Sequence, residues 1–172
     1  NYARNLIPEL VTADEAGEFR WVVVRHESNL EPLSALHDPS RYMEVASTWK
    51  HGDLRDFALG QGELHHWLRT WGPAALVHDL FHISPLRWFD FGEVYRPRFV
   101  TTLHDFIWLD HARSSQSSLL KAAWVKGFGT LSIPHTIYHS DHVICVSEAT
   151  RERARHLLDD AHTSVIHHGV HH

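Results

Sequence analysis

Three short clusters in this chain carry side chains able to do chemistry. The first is His104-Asp105, which closes the run R-F-V-T-T-L-H-D from Arg98. The second is His78-Asp79 with His82-Ile83-Ser84, and the third is Ser147-Glu148 at the end of V-I-C-V. A histidine beside a carboxylate can move protons, hydrogen-bond a hydroxyl or stabilise developing charge. A serine that opens a helix offers its own hydroxyl together with unpaired backbone N–H groups, suited to an anionic or hydroxylated ligand. Each cluster also has a purely structural explanation. Asp105 can simply start a turn, His104 can be a satisfied core histidine, and Ser147 can be a helix cap and nothing more.

The elements that must position these groups decide between the readings. Phe99–Leu103 is a continuous apolar and β-branched run, the pattern of a strand buried on both faces of a parallel sheet. Ala74–His78 and His142–Val146 are shorter strands, and Ser164–His167 is a final one. Upstream, Tyr2, Leu6, Ile7 and Leu10 recur at helical spacing, so residues 1–13 form an amphipathic helix that Pro8 weakens. Strands follow at Phe19–Arg25 and Met43–Thr48, separated by a polar loop from His26 to Tyr42. Asp53 caps a helix reaching Trp71, with Phe57, Leu64, Trp67, Leu68 and Trp71 on one stripe. Gly60 and Gly62 each cost about 1 kcal/mol in its interior. A long helix runs from Ser114–Ser118 to Tyr138, with a kink or a break at Gly127, Gly129 or Pro134. The last helix starts at Ser147, turns Ala154, Leu157 and Leu158 inward, and ends at Asp159-Asp160.

Strands alternating with helices predict an α/β fold, a Rossmann-like three-layer domain with a mostly parallel sheet. No internal repeat, linker or second-domain boundary is visible. In such sheets ligands bind outside the carboxyl ends of the strands, so the three clusters are expected to converge on one rim.

Composition narrows the classes further. The chain has 172 residues and a formal net charge of −5, which gives no basic field for nucleic acid. No apolar run approaches the roughly 18 residues of a membrane span, and no signal peptide is visible, so a cytoplasmic location is expected. The single Cys145 excludes a disulfide scaffold and cysteine-zinc sites. Histidines number 18, yet His78 and His82 lack a third ligand, so no metal is expected. His171-His172 has the look of a purification-tag remnant. Phe81, Trp88, Phe89, Phe91 and Tyr95 crowd the connection from Leu80 to Pro97. They suit core packing, stacking on sugar rings, or a bilayer interface, with Arg87, Arg96 and Arg98 close enough for a phosphate.

Taken in order, T-T-L-H-D-F-I-W-L-D, a helical stretch, S-D-H-V-I-C-V-S-E-A-T and V-I-H-H-G-V resemble the N-terminal domain of the retaining GT-B "group 1" glycosyltransferases. N-Y-A-R-N-L resembles that family's first helix, and Tyr2 its tyrosine after a glycine-rich loop. The resemblance implies one acceptor-side domain over residues 1–170, facing a second domain that holds a nucleotide-sugar. It implies hexosyl transfer with retention of configuration, in polysaccharide or glycolipid assembly, with no cofactor beyond the donor co-substrate. His104 and Asp105 then take catalytic positions. Tyr2, Ser84, Ser147 and Glu148 line the substrate cleft, and Gly169 marks the crossover to the donor domain. The implied partners are a sugar or lipid-linked sugar acceptor and a donor domain on the same or a separate chain, with peripheral contact at the inner membrane face.

Two departures accompany the resemblance. No glycine-rich loop precedes Asn1, and the family's basic residues and paired glutamates do not follow Val170. The chain alone is therefore expected to be inert, because it cannot align two substrates. The competing readings are a non-catalytic Rossmann-like binding or assembly module and the acceptor half of a split enzyme. A flavodoxin-like phosphate binder is disfavoured by the lack of a phosphate loop.

Overall fold

A computed structural model describes residues 2–26, 40–47, 54–80, 97–111 and 118–167. The chain forms two compact units, Asn1–Lys50 and His51–His172. The aromatic residues at 81–95, Asp53, and the closing His168, His171 and His172 lie outside the described residues.

In the first unit, helix α1 (Tyr2–Ala13) runs through Pro8 without a break, and Thr12 Oγ1 donates to the Pro8 carbonyl at 2.8 Å. Gly17 then takes a left-handed φ of 67°, a conformation glycine adopts without strain, and its N–H reaches the Asp14 carbonyl. The Asp14 carboxylate accepts the N–H groups of Glu18 and Phe19 and an Arg41 guanidinium contact at 2.9 Å. Strands β1 (Trp21–His26) and β2 (Tyr42–Ser47) pair in parallel, in register from Trp21↔Tyr42 to His26↔Ser47.

The second unit begins with α2 (Leu54–Trp71), which continues through Gly60 and Gly62. Leu64 and Leu68 bury its inner face, Trp67 and Trp71 stack, and Gly72 closes the helix with a φ of 51°. Four strands form one parallel sheet in the order β3 (Ala75–Leu80), β4 (Arg98–Leu103), β5 (His142–Cys145) and β6 (Thr163–Val165). Between β4 and β5 lie a single-turn helix α3 (Ile107–Asp110) and the long α4 (Leu119–His139). Helix α5 (Glu148–Ala154) passes into a 3₁₀ turn, Arg155–Leu157, and a second such turn, Asp160–His162, leads into β6. The α/β architecture with parallel strands is the one expected.

Strand β4 is central and buried on both faces, with Phe99, Thr101, Thr102 and Leu103 all inside. Around it the core gathers Leu103, Phe106, Ile133, Ile137, Val143, Cys145 and Ala154, with Leu157, Leu158 and Val165 packed alongside. Helix α4 is continuous across Gly127, Gly129 and Pro134, where the sequence suggested a kink or a break. At the amino edge of the sheet, Asp141 clasps Phe99 in both directions, its carboxylate accepting the Phe99 N–H at 2.8 Å.

Candidate active site

The carboxyl ends of β4 and β5 are neighbours, joined where the Val146 N–H meets the Leu103 carbonyl. His104 follows β4 directly and is buried to 6% exposure. Asp105 is half-buried, and its Oδ1 accepts the Ile107 N–H at 2.9 Å, which turns the chain into α3. Asp105 therefore does start a turn, as the structural reading allowed. That bond occupies one carboxylate oxygen and leaves the acceptor capacity of the other for a ligand.

Just beyond β5, Ser147 sits in extended backbone as the N-cap of α5, accepting the Thr150 N–H at 3.1 Å. Its hydroxyl also lies 3.0 Å from Thr150 Oγ1. The direction of that bond follows from proton counting. Thr150 has one hydroxyl hydrogen, and it donates to the His104 carbonyl oxygen at 2.7 Å. Ser147 must then donate to Thr150, so the proton order is Ser147 to Thr150 to His104. In that order the Ser147 oxygen faces a ligand as an acceptor.

A second tie lies one helical turn along α5. Arg153 pairs with Asp110 and sets its guanidinium over the Phe106 ring, 5.2 Å from the centroid. Thr150 and Arg153 are three residues apart and share a helix face. Together they hold the segment from His104 to Asp110 against α5. The sequence analysis missed both residues, although S-x-x-T after a strand is the spacing of a cap that could have exposed Thr150.

Glu148 is exposed at the start of α5. It borders an open depression of about 270 Å³, lined also by Arg151, Glu152, Arg155, Leu158 and Asp160. Arg151 is held in its charged form mainly by its 2.8 Å hydrogen bond to Asp160. Behind this surface Cys145 is fully buried. Burial pushes its thiol up; Arg151 pulls it down and Glu148 adds to the rise.

Four of the expected site residues, His104, Asp105, Ser147 and Glu148, thus fall at two adjacent strand ends. Tyr2 is the first residue of α1, in the other compact unit, and its side chain lies outside the described residues. Ser84 and Gly169 lie outside them altogether. His78 and Asp79 do not stand beyond the end of their strand. β3 runs on to Leu80, which pairs with Leu103, so they align with Thr101 and Thr102 inside the sheet. Among the described residues, no three His, Cys, Asp or Glu side chains group as metal ligands. No described helix is long and apolar enough to cross a membrane.

A family model, Glycosyltransferase Family 4, matches residues 2–172. The chain belongs to glycosyltransferase family 4. The match covers almost the whole chain and agrees with a group 1 glycosyltransferase N-terminal domain, the resemblance that the T-L-H-D and V-S-E-A-T motifs carry. Searches of curated proteins and of solved structures returned no match. In this glycosyltransferase domain the two strand ends carry the carboxylates of Asp105 and Glu148, the latter 3.7 Å from the Arg151 guanidinium, and the accepting oxygen of Ser147. Such a surface suits a ligand bearing several hydroxyl donors.

Proposed function

We propose that this family 4 domain is the acceptor side of a retaining, nucleotide-sugar-dependent glycosyltransferase of the GT-B type. It would hold a free or lipid-linked saccharide while a second lobe, on the same or another chain, supplies the donor. The observation that carries the reading is that His104 and Asp105 stand at one strand end and Ser147 and Glu148 at its neighbour. Sugar hydroxyls would donate to Asp105, Ser147 and Glu148. His104 would meet a sugar hydroxyl or the charge that develops at the glycosidic centre. Thr150, through the His104 carbonyl, would fix the backbone that carries it. Alignment of two substrates is worth several kcal/mol, and only the joined lobes provide it.

The competing reading is a non-catalytic binding module, favoured by the deep burial of His104 and the turn-forming role of Asp105. Transfer assays separate the two. The 172-residue chain, given nucleotide-sugars and a broad acceptor panel, is expected to give no turnover. The domain joined to a donor lobe is expected to transfer sugar, with His104→Gln lowering kcat by about a hundredfold. Transfer that His104→Gln leaves intact would remove His104 from the chemistry. No transfer in any joined form would favour the binding module.

A further inference from the structure

Helix α4 carries two imidazoles side by side near its carboxyl end. His135 and His139 are one helical turn apart, and their ring centroids lie 4.3 Å from each other with the planes tilted by 53°. Sequence spacing alone does not produce this. On a helix, H-x-x-x-H stacks the two side chains on one face, whereas in a strand the same four steps cover about 13 Å. His78 opens another H-x-x-x-H in the sequence, but it stands within strand β3.

The turn that bears the pair is fixed from its inner side. Ser140, the next residue, donates its hydroxyl to the Thr136 carbonyl at 2.7 Å and its N–H to the Ile137 carbonyl at 3.1 Å. With that hydroxyl hydrogen used, Thr101 must be the donor in its own 2.7 Å bond to Ser140, so strand β4 holds the turn. Ile133 and Ile137 seat the same stretch in the core. The backbone under both rings is thus set before a ligand arrives, which lowers the entropic cost of chelation.

Two imidazoles at a set spacing suit a divalent transition metal. Metal–nitrogen bonds of about 2.0–2.1 Å let one ion reach both rings at this separation. Imidazole favours Zn²⁺, Ni²⁺ and Cu²⁺, while Mg²⁺ and Ca²⁺ take oxygen ligands. Each ring has two nitrogens, so one can bind the ion while the other keeps a hydrogen bond. The negative end of the helix dipole lies at His139 and favours a cation there. Among the described residues no third His, Cys, Asp or Glu joins the pair, so water completes the coordination shell and the affinity is modest.

We infer that His135 and His139 chelate a divalent transition-metal ion at the carboxyl end of α4. Helix α4 ends where β5 begins, at the amino edge of the sheet, so this site is separate from the strand ends that carry His104 and Ser147. It does not depend on the proposed transfer reaction.

Zn²⁺ is the probe, and hydrogen exchange of the 172-residue chain is the readout, because the peptide covering residues 131–141 excludes the histidines at 167–172. At free Zn²⁺ ten times the dissociation constant given by the same titration, exchange in that peptide is expected to slow by about tenfold. Mg²⁺ is expected to leave it unchanged. His135→Gln and His139→Gln, each checked for folding by circular dichroism, are expected to abolish the protection. A Cu²⁺ titration followed by NMR needs no variant, and paramagnetic broadening should begin at the amides of residues 135–140. Unprotected residues 131–141, equal protection by Mg²⁺, or protection that both folded variants retain would overturn the inference. So would Cu²⁺ broadening confined to residues 167–172, because the chain terminus would then be the metal binder.

Discussion

Thr150 Oγ1 donates a buried 2.7 Å hydrogen bond to the carbonyl oxygen of His104, across 46 positions of sequence. The bond ties the end of β4 to the helix that follows β5, and so links the two halves of the candidate rim. His104 therefore owes its place to a residue that carries no chemistry of its own.

Replacing Thr150 with Val keeps the shape and removes this donor from the buried His104 carbonyl. The expected loss is about 1–3 kcal/mol of unfolding free energy in urea melts, with Thr150→Ser recovering most of it. Hydrogen exchange should quicken in the peptide covering residues 104–111 before it quickens elsewhere in the sheet. If Thr150→Val and Thr150→Ser lost equal stability, the methyl packing rather than the hydrogen bond would be holding the rim.

Asp14 gives the first unit a pH dependence of defined sign. Burial acts to raise its carboxyl, but the backbone N–H groups of Phe19 and Glu18 and the Arg41 guanidinium outweigh that and hold it below its ordinary value of 3.8. A carboxyl lowered by folding binds fewer protons in the folded state than in the unfolded one. Its contribution is therefore complete above the ordinary value and is lost as pH falls through the lowered one. Acid titration followed by hydrogen exchange at residues 14–24 should show this loss, and Asp14→Asn should flatten it. An acid transition identical in Asp14→Asn would contradict the assignment.

Cys145 is inaccessible, and its thiol is held protonated by burial. Ellman's reagent should leave it untouched in the native chain at mildly alkaline pH and titrate one thiol after denaturation. Fast reaction in the native chain would mean that the β5 end opens readily.

Much of this was legible in the residues. Phe99–Leu103 is a strand, and V-I-C-V is one as far as Cys145, because their apolar and β-branched residues suit a buried strand, and Ser147 caps its helix as its type and place require. The errors arise where distant contacts override a local signal. Pro134 and two glycines did not break α4, because its inner face is seated in the core by Ile133 and Ile137. Asp79 suggested that its strand had ended, yet pairing with β4 carries β3 two residues past His78. The regular part of α5 stops at Ala154, although Leu157 and Leu158 pack on the core as expected. The burial of His104 depends on which partner lies 46 positions away, and no local pattern encodes that.

The account turns on whether this domain receives the saccharide and leaves the donor to another lobe. Saturation-transfer NMR on the 172-residue chain, with a panel of saccharides and a panel of nucleotide-sugars, tests that most directly. The account predicts transfer to saccharide resonances, lost in the Asp105→Asn/Glu148→Gln double variant, and none to nucleotide-sugars. Transfer to nucleotide-sugars with silent saccharides, or saccharide signals that survive the double variant, would contradict it.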